Sequence, residues 1–373
     1  MDFEYSNEQM DLKKEVSAFA KAAAADPKRI QEEMDSTFSW DIYKQISEKG
    51  WTGILVPKEY GGQGKGAMEY SIIMEETAKE LIPGPQTAVQ AQKSILTVGT
   101  EAQKRRYLPK LASGEYISAQ AISEPTVGSS FKDIKTQAVK DGKFYHIKGH
   151  KTHINLAEEA DVFILLALTS KGITEFLIEK STPGVTFKKA NPFGLRSAPI
   201  YDVYLDCRVP EEQLLGREGG ALEIFLATFN LSRIGNASTF IGYARGCLEL
   251  AINYAKQRVV GKNHVADFQG IQWIIADLAS QIQATGLIRD KAAWMADQGR
   301  EHSLDTSMAK YLAGEVAEKV VNKSFSLVGS RACYVGSRFE QYLRDVKALQ
   351  VGGGTSEIMK NNIAREVLMA NSL

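Results

Sequence analysis

Cysteine is scarce: Cys207, Cys247 and Cys333 stand far apart in a chain of 373 residues. They fit neither a disulfide framework nor a zinc-ligand spacing, and a reducing, cytoplasmic setting is expected. An excess of one charge is also lacking. Lys plus Arg equals Asp plus Glu at 45 each, so the sequence offers no global basic field for nucleic acid and no acidic solvating tail. No apolar run approaches the roughly 20 residues that a membrane span requires. The stretch Met1–Glu8 is acidic and without the apolar core of a secretion signal. Internal repeats are absent, and low complexity is confined to Ala22–Ala25.

What is present is a strand-rich middle, roughly Glu115 to Gly216, between two helical blocks. Apolar and polar residues alternate in Phe144–Asn155, Val162–Leu168 and Thr174–Glu179, with turns at Asp141-Gly142, Lys171-Gly172 and Pro183-Gly184. Short strands at this spacing suggest a small barrel or sandwich. Before them, helical periodicity marks residues 7–24, Trp40–Lys49, Met68–Leu81, a segment ending near Val98, and Thr100–Leu111, where Pro109 puts the last turn in doubt. After them, Ala221–Arg258, Phe268–Asp297 and Thr306–Val328 read as long helices, with a last one from about Ser356. Such helices pack as an antiparallel bundle, and stripes such as Ile271, Ile274, Ile275 and Leu278 are core or subunit contact. The fold class is therefore α+β, with a helical domain at 1–115, a β-domain at 116–220 and a helical bundle at 221–373.

Several stretches occur in one order: Pro57–Gly62, Ala121–Ser129, Lys148–Asn155, Leu215–Gly219, Arg258 with Gln269 eleven residues on, Arg344-Asp345 and Gly354–Ile358. Together they resemble the acyl-CoA dehydrogenase family over essentially the whole chain. That resemblance implies an enzyme with one FAD per subunit, usually a homotetramer, acting on an acyl thioester of coenzyme A or an acyl carrier protein. An electron-transferring flavoprotein is the implied electron partner. In the family's chemistry a carboxylate removes the α-proton while the β-hydrogen leaves as hydride to the flavin, and hydrogen bonds to the thioester carbonyl stabilise the enolate. By resemblance, Ile122, Ser123, His153 and Asn155 lie along the flavin ring. Arg258 and Gln269 reach the FAD of a neighbouring subunit, where an arginine fork suits pyrophosphate. Gly329, Thr355 and Glu357 complete the cradle, Ser129 lies by the pantetheine arm, and Arg233 lies near the acyl pocket.

The departures concentrate at the reacting centre. The usual place of the catalytic glutamate is Gly353, and the alternative place, just before the arginine on the first C-terminal helix, is Ser232. Neither carries a base of useful strength. His153-Ile154-Asn155 stands for the usual Trp-Ile-Thr, Gly261-Lys262 for Phe-Gly, Ser130 for an aspartate and Thr126 for a glycine. On a regular strand His146 and His150 share a face and His153 points the opposite way, so no three-histidine metal site is expected. The expected function is an FAD-dependent oxidoreductase on the CH–CH group of an acyl thioester, with a non-standard base and an unusual, for example alicyclic, acyl group. The alternatives are an enoyl-thioester reductase, a flavin monooxygenase or oxidase on this fold, and a non-catalytic subunit paired with a homologue.

Overall fold

The structure is a computed structural model that describes residues 4–369. Six helices come first: α1 (Asn7–Ala24), α2 (Lys28–Met34), α3 (Trp40–Glu48), α4 (Ala67–Lys79), α5 (Gln86–Val98) and α6 (Glu101–Ser113). Ser6 and Gln9 form a capping box at the start of α1, and Thr100 and Gln103 form another at α6, satisfying N–H groups that the helix leaves free. Val16, Phe19, Ile42, Ile46, Trp51 and Ile73 make one core cluster from α1, α3, α4 and the turn after α3. Helix α6 runs through Pro109 to Ser113, because Leu108, Leu111 and Ala112 are anchored in the core and outweigh the one lost N–H donor.

The strands are β1 (Ser118–Ala121), β2 (Gln137–Asp141), β3 (Phe144–Asn155), β4 (Val162–Thr169), β5 (Gly172–Glu179), β6 (Val185–Lys189), β7 (Ile200–Pro210) and β8 (Leu214–Leu215). They pair in the order β6-β7-β3-β2-β4-β5-β8, with β1 parallel to β4 along the edge that β2 touches only at Gln137. Strand β4 is apolar on both faces for a reason. Phe163 and Leu165 face the interior of the β-domain, with Tyr145, Ile147, Phe176 and Val203. Val162 and Ile164 face the other way, onto Ile95, Tyr107 and Leu111 of the N-terminal helices. A strand covered on both sides loses the polar alternation of a half-exposed one.

The C-terminal helices are α7 (Ala221–Gln257), α8 (Gln269–Asp297), α9 (Ser303–Val328), α10 (Arg338–Val351) and α11 (Ser356–Met369). A two-strand hairpin, β9 (Val259–Val260) and β10 (Asn263–His264), joins α7 to α8. Helix α7 is the spine, packed against α4, α5, α8, α9 and α10. Gly242 and Gly246 let α4 approach closely, since a Cβ at either would overlap the backbone of Glu75 or Lys79. The contact is fastened by Glu75, which is buried and paired with Arg289 of α8 at 2.6 Å and Arg245 of α7 at 3.0 Å. Burial alone would raise the Glu75 pKa, but the two guanidinium groups outweigh it and hold the carboxyl below its ordinary value.

Candidate active site

Two groups of the residues singled out above are brought together within the chain. The first joins the Ala121–Ser129 stretch to the end of β3. Lys151 is fully buried on β3, and its ammonium donates to the Ile122 carbonyl at 3.0 Å and to Glu124 Oε1 at 2.8 Å. Glu124 in turn accepts from the backbone N–H groups of Lys135 at 2.6 Å and Thr136 at 3.0 Å, and from the Thr136 hydroxyl at 2.6 Å. Burial pushes Lys151 down to about 8, while these donors outweigh burial at Glu124 and hold its carboxyl low, so both are charged at neutral pH. The Thr152 N–H donates to the Ser123 carbonyl at 2.9 Å, which fixes the Ile122-Ser123 loop against β3.

His153 differs from its expected orientation. The register of β3 against β7 shifts between Lys151 and Ile154, and His153 takes a positive φ of +57°. This bulge turns an imidazole that a regular strand would direct inward out to solvent, where Nδ1 lies 3.2 Å from the Thr152 hydroxyl. Asn155 follows with its amide donating to the Ala198 carbonyl at 3.4 Å. His146 pairs instead with Asp206 at 2.7 Å, and His150 stacks on Tyr204. Among the described residues no group of three His, Cys, Asp or Glu side chains is placed to hold a metal ion. Ser129 is exposed.

The second group surrounds the turn between α10 and α11. Gly353 has φ +68°, a conformation that L side chains rarely adopt, and a Cβ built there would overlap the amide nitrogen of Asn236. Asn236 is buried on α7 and accepts a hydrogen bond from Gln86 at the start of α5. One turn earlier on α7, Arg233 donates to the Asn230 side chain at 3.0 Å and, at 3.5 Å, to the Gly353 carbonyl. Lys310 of α9 donates to the Gln350 carbonyl at 3.1 Å and to the Gly354 carbonyl. Two buried cations thus clamp this turn, and among the described residues neither has a carboxylate within ion-pair distance. Burial lowers Arg233 to about 10. It also lowers Lys310 to about 8, with Arg233 adding to the effect and Glu357 opposing it. Ser232 is buried beside them on α7. The Thr355 hydroxyl accepts from the Ile358 N–H at 3.4 Å and caps α11, whose first turn carries the exposed Glu357.

The remaining positions stay outside both groups. Arg258 and Gln269 are exposed at the two ends of the β9–β10 hairpin, and among the described residues their side chains make no hydrogen bond or ion pair. Gly329 ends α9 at φ +71° with open space where a Cβ would stand. Lys151, Glu124, Lys310, Asn236 and Gln86 were not singled out from the sequence. Lys310 was detectable there, since it shares one helical stripe with Thr306, Ala313 and Ala317, where a lysine has no reason to be without a buried partner.

The comparisons with known proteins cover the whole of this architecture. The model "Acyl-CoA dehydrogenase, N-terminal domain" matches residues 6–115, the middle-domain model 119–207 and the C-terminal-domain model 220–368. "Acryloyl-CoA reductase (NADH)" of Anaerotignum propionicum is 33% identical over 99% of this chain and 96% of its own. "Acyl-CoA dehydrogenase" of Bacillus subtilis strain 168 is 34% identical over 97% of this chain and 98% of its own. The solved structure of butyryl-CoA dehydrogenase from Megasphaera elsdenii superposes with a TM-score of 0.94 at 29% identity, covering 99% of this chain and 100% of that one. The protein is therefore an enzyme of the oxidoreductase class, and the chain belongs to the acyl-CoA dehydrogenase family.

Proposed function

We propose that this protein is an FAD-dependent oxidoreductase of the CH–CH group of an acyl thioester whose proton transfer does not use a carboxylate at either usual position. The observation that carries this reading is Gly353: it has no side chain, a left-handed backbone, and the Asn236 amide in the space a side chain would enter. Ser232, buried on α7, is too weak a base to replace it. The residues present suit FAD. Ile122 and Ser123 are fixed by the β3 bulge, Asn155 offers an amide donor, and Arg258 and Gln269 are unengaged as a group outside their own chain requires. Gly329, Thr355 and Glu357 complete the set that would hold it. When bound, FAD supplies hydride exchange with the β-carbon of the acyl group.

The chain's own part is orientation and charge. Arg233 and Lys310 hold the 350–354 turn through its carbonyls, so the wall beside the reacting α-carbon is rigid and positively charged. An acyl group with an unusual site of proton loss, such as an alicyclic ring, suits a base supplied from elsewhere. The reductive direction is favoured as a second reading by the same two cations. They are protonated at neutral pH and do not accept a proton, while an enoyl thioester needs one delivered at its α-carbon. The likeness to a protein named acryloyl-CoA reductase supports that direction.

The test is product analysis. Holoprotein is incubated with single acyl-CoA thioesters and an artificial electron acceptor, or with reductant and enoyl-CoA thioesters. A loss or gain of two hydrogens on the acyl chain, read by mass spectrometry, is the expected result. Oxygen insertion into the product would instead place the protein with the oxygenases, and no change in either direction would contradict the proposal.

A further inference from the structure

The amide pair at Gln86 and Asn236 has no role in holding the 350–354 turn, which Arg233 and Lys310 already fasten. Gln86 opens α5, while Asn236 lies on the buried stripe of α7 between Arg233, Ala237 and Phe240. A buried asparagine costs free energy unless its polar atoms are satisfied. The one bond between the two amides uses one donor and one acceptor. Among the described residues, the other polar atoms of both side chains make no hydrogen bond. Whichever way the amides are turned, a donor on one and an acceptor on the other stay free. The Asn236 amide nitrogen stands beside residue 353, where the α-carbon of the acyl group lies in the reading above, and Gln86 meets the same amide from α5.

We infer that Gln86 and Asn236 form a polar recognition element of the acyl chamber, which selects an acyl group carrying a neutral hydrogen-bonding substituent, a hydroxyl or carboxamide, over a plain hydrocarbon. The inference rests on the proposed function for the position of the chamber. It extends that reading by naming the class of acyl group. The physical basis is asymmetric. A hydrocarbon placed against two free amide groups leaves them desolvated and unpaired, while a substituent that both donates and accepts satisfies them. Arg233, buried and with its second terminal nitrogen unbonded among the described residues, lines the same side of α7 and adds a further donor.

The experiment is calorimetric binding to flavin-loaded protein with an isosteric pair, 4-methylpentanoyl-CoA and succinamoyl-CoA, which differ only in exchanging a terminal isopropyl group for a carboxamide. The expected result is at least tenfold tighter binding of succinamoyl-CoA by the wild-type protein. Asn236→Leu and Gln86→Met each remove one amide of the pair, and each is expected to shrink that preference severalfold. The second variant changes a less buried side chain, and it serves should the first fail to fold. Tighter binding of 4-methylpentanoyl-CoA by the wild type overturns the inference and leaves the proposed function standing. A preference for succinamoyl-CoA that both variants retain undiminished also overturns it, since the amides then do not select. Failure of both thioesters to bind overturns this inference together with the reading on which it rests.

Discussion

Gly353 lies at φ +68° against Asn236, so putting back a glutamate there meets two obstacles at once. The left-handed backbone is strained for any side chain, and the Asn236 amide must move. Gly353→Glu alone is expected to lose about 1–3 kcal/mol of stability. Adding Asn236→Gly is expected to recover part of that loss, read as a coupling energy in a denaturation cycle. Lys310 gives a second test through pH. Its folded-state pKa is depressed to about 8 by burial, so above that value the native protein holds fewer protons than the unfolded chain. This group therefore adds stability as pH rises from about 8 towards its ordinary value near 10.4. The difference in unfolding free energy between wild type and Lys310→Met is expected to shift in favour of the wild type across that range, by up to about 1.4 kcal/mol per pH unit. At this scale the sequence was legible where a polar residue interrupts an apolar stripe, as Lys310 does. It was not legible at His153, because a bulge is a property of two paired strands and leaves no mark in one strand read alone.

Among the elements, α7 and α4 are drawn together by small residues and by one buried charge cluster. Arg289→Met leaves Arg245 as the one ion-pair partner of the buried Glu75 among the described residues. A loss of about 3–5 kcal/mol is expected, measured by chemical denaturation. A loss below about 1 kcal/mol would show that water reaches the cluster. The long helices were readable from their periodicity, and α1 spans the residues 7–24 that it marked. Helices α2 and α10 were not marked out. Helix α2 has seven residues and lacks a side-chain cap, too short for periodicity to register. Pro109 misled in the opposite sense, since tertiary burial of Leu108 and Leu111 decides the length of α6. Strands β1 and β2 escaped notice because each has only four or five residues, and the parallel pairing of β1 with β4 is long-range.

For the whole molecule, the unengaged side chains of Arg258 and Gln269 sit among exposed apolar ones. Val259, Val260, Phe268 and Trp273 line the same hairpin and the start of α8, and Trp273 is 66% exposed. Such a patch suits contact with a second copy of the chain, which the family resemblance pairs with a cofactor site shared between subunits. Trp273→Glu is therefore expected to shift the assembly to a smaller species by light scattering and to lower the FAD retained on purification. Arg258→Ala is expected to lower FAD retention without changing the assembly. The helix–strand–helix order and the β-domain between the helical blocks were legible from periodicity and alternation along the chain. The Asn236–Gly353 contact was not, because it depends on two residues more than a hundred positions apart meeting across α7.

The central claim is redox chemistry at an acyl CH–CH bond without a carboxylate at 353 or 232. Its most direct test is the anaerobic visible spectrum of the flavin-loaded protein titrated with matched saturated and α,β-unsaturated acyl-CoA thioesters. The account predicts that one member of a pair changes the flavin's redox state: a saturated thioester bleaches the oxidised band, or its enoyl partner restores that band to the reduced protein. A protein that takes up FAD but whose spectrum no thioester changes in either direction, or one that will not take up FAD, would contradict it.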